Sequence, residues 1–135
     1  MNTEQDYWPL IEGGRVVQQF EFADYRAVLL TEPISRGRFD YLYVLLVFKL
    51  STSKLCLCVA SERLNDYGRK ALPDIPLPLG ESYTLGVYPG KGHRNLGSSN
   101  DWSDIEKFTT RAFKIVRSEL RVSVKIVDDI QDDLV

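Results

Sequence analysis

Tyr41-Leu42-Tyr43-Val44-Leu45-Leu46-Val47-Phe48 is apolar or aromatic at every position. A strand with one face in water alternates apolar and polar side chains. This run does not, so it reads as a strand buried on both faces. With strict alternation, one face carries Leu42, Val44, Leu46, Phe48 and Leu50, and the other Phe39, Tyr41, Tyr43, Leu45 and Val47. Each large apolar side chain left in water forgoes about 1.5–3 kcal/mol of burial. A domain is stable by only about 5–15 kcal/mol, so both faces need cover.

Around this run, extending it to 39–50, the pattern predicts further strands over 15–23, 25–32, 55–60 and 82–88, and a short one over 121–127. Asp24 and Ser51–Lys54 supply turns, and Pro33 and Pro89 end strands because proline cannot donate to a ladder. Ser61 is placed to cap a short helix over 62–70, despite Gly68. Leu72 to Gly80 holds three prolines and reads as an extended connector.

One long helix is expected over about 102–120, capped by Asn100 or Asp101. Trp102, Ile105, Phe108, Ala112, Val116 and Leu120 recur at spacings of three and four and form one apolar stripe. The opposite side carries Lys107, Arg111, Lys114, Arg117 and Arg121.

Strands joined by turns, followed by a late helix, give an α+β fold. The expected architecture is a mostly antiparallel sheet of five or six strands, flat or curled, with one long C-terminal amphipathic helix on one face. The 135 residues suit a single domain, with an N-terminal arm over 1–14 and a frayed acidic tail over 128–135.

One helix covers one face. The second must be shielded by the arm and the proline segment, by curling of the sheet, or by another subunit. Symmetric homodimers are the commonest assemblies, and tyrosine-rich faces suit interfaces. The expectation is a homodimer with Tyr41, Tyr43, Leu45 and Val47 at its interface.

Composition narrows the function classes. The apolar share of 44% and charged share of 27% are those of an ordinary globular protein. A net charge of −2 argues against a dedicated nucleic-acid binder. No apolar run reaches the roughly 20 residues needed to cross a bilayer. The polar, acidic N-terminus lacks a signal-peptide pattern. Cys56 and Cys58 are two apart in a strand, too far for an unstrained bridge, and read as free thiols of a reducing compartment. The expected location is the cytoplasm. With a single histidine and no C-x-x-C, no metal site and no cofactor are expected.

The best site candidate is the glycine-rich segment 89–99, read as a loop leading into the helix N-terminus. Lys91, His93, Arg94 and Asn95 could hold an anion there. Its spacing is not that of a phosphate loop, and Asn100 and Asp101 compete for the helix N–H groups. His93 could act as an acid or base only with a carboxylate or nucleophile beside it. Carboxylates such as Glu32 and Glu62 form no pair that spacing brings together. Catalytic residues are therefore assigned to none. The basic helix side reads as a solvated face, without the aromatic residues that single-strand binders interleave.

Three readings follow. The first is a small binding or adaptor protein that recognises another protein, and it leans away from an enzyme. The second is a small-ligand binder using segment 89–99 and a pocket by the sheet. The third is an enzyme with His93 as acid or base.

Overall fold

The structure is a computed structural model that describes residues 8–9, 11–37, 39–65, 83–90 and 92–121. Its elements are β1 (Ile11–Glu12), β2 (Arg15–Phe22), β3 (Tyr25–Thr31), β4 (Ile34–Ser35), β5 (Phe39–Lys49), β6 (Lys54–Leu64), β7 (Tyr83–Tyr88), β8 (Arg94–Ser99), a 3-10 turn (Asn100–Ser103) and α1 (Ile105–Leu120). The fold is the expected α+β: a six-stranded antiparallel sheet in the order β2-β3-β5-β6-β7-β8, with a small β1–β4 ribbon beside it.

α1 packs on one face of the sheet. Its Phe108, Ala112, Phe113, Ile115 and Val116 join Phe20, Phe22, Leu29, Leu45, Val47, Leu57, Val59, Leu85 and Val87 in the main core. The Asp104 carboxylate, not Asn100 or Asp101, caps α1 by accepting from the Glu106 and Lys107 backbone N–H groups. Ser99 caps the preceding 3-10 turn. That turn is tied to the sheet by Ser61 Oγ, which donates to the Trp102 carbonyl at 2.8 Å, and by Tyr43 Oη, which donates to the Ser103 carbonyl at 3.3 Å.

β5 is buried on both faces, but its faces are not those of strict alternation. Tyr41 pairs with Glu62 and Tyr43 with Ser61, so Leu42 is an extra, bulged residue. Its carbonyl accepts from the Glu32 N–H and the Thr31 hydroxyl, at the end of β3. The bulge moves Phe39 and Tyr41 to the face away from α1, where they meet Val44, while Tyr43, Leu45 and Val47 stay beneath the helix. The four residues expected to share one interface are therefore split. Leu45 and Val47 are fully buried under α1 of the same chain.

A second irregularity lies in β6. Val47 pairs with Leu57 and Phe48 with Leu55, leaving Cys56 as the extra residue. Cys56 then packs against the main core and Cys58 against the second, so the two thiols do not share a face. β6 also runs to Leu64, which replaces the start of the helix expected from Ser61. The remainder of that helix, the proline segment, the strand over 122–127 and the acidic tail lie outside the described residues. Among the described residues the sixth strand of the sheet is β8, within the segment read as a loop.

The second face has its own apolar cluster of Leu30, Tyr41, Val44, Cys58, Ala60 and Tyr88. Trp8 and Ile11 of the N-terminal arm pack against it, as do Phe39, Val28 and Leu46. The small side chains of Cys58 and Ala60 leave the room that the Tyr41 and Tyr88 rings fill.

Candidate functional site

Strand alternation disperses the predicted site. His93, just before β8, reaches the second face and meets Glu62. Arg94 turns to the helix side and pairs with Glu119 at 2.5 Å. Asn95 accepts from the Gly97 N–H at 2.7 Å and so supports the left-handed backbone of Gly97, which any side chain would strain. Lys91 lies outside the described residues.

The structure supplies His93 with the carboxylate that the sequence did not place. Glu62 is the ninth residue of β6, one alternation beyond Cys58 and Ala60 on the second face. Its side chain is 1% exposed, and both oxygens are engaged. Tyr88 Oη donates to Oε1 at 2.6 Å, and His93 Nε2 lies 2.5 Å from Oε2. The Tyr41 and Tyr88 hydroxyls are 3.5 Å apart and extend the chain of polar contacts inward.

The ring of His93 is fixed as well as hydrogen-bonded. It stacks on Tyr88 with centroids 4.4 Å apart and planes 17° from parallel. Phe39 meets it edge-on at 5.7 Å. The side chain is still 28% exposed, so one part of the imidazole faces outward. A carboxylate only accepts hydrogen bonds, so Nε2 carries the hydrogen toward Glu62. In the neutral ring Nδ1 then has a free lone pair, and it makes no hydrogen bond among the described residues.

Gly86 makes this approach feasible. It lies between the two partners, pairing with Ala60 on one side and Asn95 on the other. A Cβ there would sit 2.6 Å from Glu62 Cδ and 2.8 Å from His93 Nε2.

The neighbouring groups are unreactive. Burial, with the Glu62 and Tyr41 charges, pushes the Tyr88 hydroxyl far above the tyrosine range. Burial likewise raises Tyr41. Burial and then Glu62 push the Cys58 thiol well above its ordinary value, so it is no thiolate nucleophile. The arrangement can bind at, or move a proton through, His93. Among the described residues no group of three or more histidine, cysteine and acidic side chains is placed to hold a metal. No described helix is long and apolar enough to cross a membrane.

Glu62 escapes a sequence reading because three polar residues, Ser61-Glu62-Arg63, look like the first turn of a helix. The available signal was the continued alternation Cys58, Ala60, Glu62, which sets an acid on an otherwise apolar face. Compared with known proteins, the chain matches no family model, no curated protein sequence and no solved structure.

Proposed function

We propose that this chain is a small-ligand-binding protein whose recognising group is the outward nitrogen of His93, held in place by Glu62. The ligand is an organic molecule that presents a hydrogen-bond donor to Nδ1 and an apolar or aromatic part to Phe39. One observation carries this reading: a carboxylate with 1% exposure is spent on orienting one half-open imidazole. Burying a carboxylate costs several kcal/mol, and apolar residues of similar volume serve stability as well or better. A polar pair kept in that setting, in contact with solvent only through the His93 ring, is the layout of a binding or proton-transfer centre. The free thiols Cys56 and Cys58 accord with a cytoplasmic home.

The test is a ligand-detected NMR screen of small phenols, heteroaromatic amines and amides against the native protein and against His93→Ala and Glu62→Gln. The glutamine can donate its amide N–H to Nε2, which moves the ring hydrogen to Nδ1 and turns an acceptor into a donor. Compounds that bind the native protein and are lost in both variants support the proposal. Binding indifferent to both variants, or no binding at all, removes it.

Protein recognition is a second reading, and the far end of the second face favours it. Val28 and Phe48 are half-buried there and Leu50 is 39% exposed, around a cleft of about 230 Å³ edged by Arg26 and Lys49. A second copy of the chain could close this end as a homodimer. Sedimentation equilibrium at micromolar concentration tests the homodimer: a monomer removes it without touching the His93 centre.

A further inference from the structure

A neutral imidazole carries one hydrogen and one lone pair; the protonated ring carries two hydrogens and no lone pair. In the chain's single histidine the two nitrogens are already told apart. Nε2 of His93 lies 2.5 Å from Glu62 Oε2, and a carboxylate only accepts, so Nε2 keeps its hydrogen in both states of the ring. The other carboxylate oxygen accepts from the Tyr88 hydroxyl at 2.6 Å. An added proton therefore has its place on Nδ1, the outward nitrogen.

Both states fit one geometry. The Tyr88 ring, stacked 4.4 Å from the His93 ring, and the Glu62 carboxylate are partners for a positive imidazole as well as for a neutral one. Taking up the proton requires no rotation of the ring and breaks no hydrogen bond within the cluster. The change appears only at Nδ1, where an acceptor becomes a donor, and in the charge of the Glu62–His93 pair, which goes from minus one to zero.

The other groups around the ring keep their charge while this happens. Among the described residues, the titratable groups facing it are Glu62 of β6 and Tyr88 of β7, with Tyr41 of β5 and Cys58 of β6 behind them. Burial holds the protons on both tyrosines and on Cys58 far above the neutral range. Phe39, edge-on to the ring, carries no charge. Arg94 is turned to Glu119, and Arg63 lies over the Tyr83 ring.

From this geometry we infer that the His93 centre exchanges its ligand class with pH: the neutral ring takes a hydrogen-bond donor, and the protonated ring takes an organic anion such as a carboxylate. The inference rests on the ligand reading of His93 and adds a second class of ligand to it. Each anion enters with one proton, which ends on Nδ1 and bridges the ring and the carboxylate. Donor ligands enter with none.

The test is isothermal titration calorimetry on the full chain with indole, which only donates, and benzoate, which only accepts, between about pH 5 and pH 8, where imidazoles change charge. Each titration is repeated in two buffers of different ionisation enthalpy, which counts the protons taken up. At the alkaline end benzoate should bind with uptake of one proton, and its affinity should rise about tenfold for each pH unit toward acid until the free ring is protonated. Indole should bind without proton uptake there and weaken toward acid. Glu62→Gln places the ring hydrogen on Nδ1 without added charge, so it should bind benzoate at the alkaline end with no proton uptake and lose indole. Benzoate bound by the native chain without a linked proton, bound equally by His93→Ala, or not bound at any pH while indole binds, overturns this inference and leaves the donor reading standing. Failure of both probes with the native chain at every pH removes the two together.

Discussion

Gly86 lies so close to Glu62 that a methyl group on it would occupy the space of the carboxylate, 2.6 Å from Cδ. The hydrogen bond between β6 and His93 passes over a residue with no side chain. Gly86→Ala must therefore push Glu62 off His93 or push β7 away from its neighbours. Overpacking of this kind costs about 1–3 kcal/mol. The midpoint of urea unfolding should fall with little change in slope, and the hydrogen-bonded ring N–H resonance of His93 should shift or vanish.

Glu62 should matter more to the geometry of His93 than to stability. Tyr88→Phe alone takes the donor from Oε1 and leaves half of a buried carboxylate unserved, a loss of about 1–3 kcal/mol. Glu62→Leu together with Tyr88→Phe removes the carboxylate and its buried donor at once. That pair of changes should be less destabilising than Tyr88→Phe alone, and neutral or stabilising against the native chain. Thermal melts of the three proteins, folded under one buffer, check the order.

The two thiols should separate cleanly in a labelling experiment. Cys58 is fully buried in the second cluster, and burial followed by the Glu62 charge raises its thiol well above the ordinary value. Cys56 is half-buried, is raised by burial, and is drawn part of the way back by Lys49. A thiol-reactive dye should modify Cys56 in the native protein and Cys58 only when the chain opens. Equal native rates would contradict the β6 bulge that sends them to opposite faces.

Why the sheet was legible and the site was not comes down to bulges and separation in sequence. The run from Tyr41 to Phe48 announces a doubly covered strand because burial depends on residue type, which the sequence states. The α1 stripe is equally plain, since Phe108, Ala112 and Val116 recur at helical spacing. The face on which a side chain lands depends on strict alternation, and one extra residue at Leu42 reverses Phe39 and Tyr41. His93 and Glu62 are 31 positions apart and meet because β6, β7 and β8 pair in order, information carried by register and by no local spacing. The same strand geometry separates His93 from Arg94, which a loop reading had joined.

Alkaline pH should unfold the protein through Tyr41 and Tyr88. Both hydroxyls hold their protons far more tightly in the folded chain than in the unfolded one: burial dominates in each, and the Glu62 charge adds to it. Their contribution is complete below about pH 10, where tyrosine in the unfolded chain begins to ionise. Above that, only the unfolded chain gives up these protons, so each tyrosine lowers stability by about 1.4 kcal/mol per pH unit. Cys58, shifted the same way, begins to contribute nearer the ordinary thiol range. Phenolate absorbance should therefore rise in two stages, first from exposed tyrosines and then abruptly with the loss of circular dichroism. Tyr41→Phe plus Tyr88→Phe should move the alkaline transition to higher pH relative to stability at neutral pH. A smooth titration of all seven tyrosines with the fold intact would show that these two hydroxyls are open to solvent.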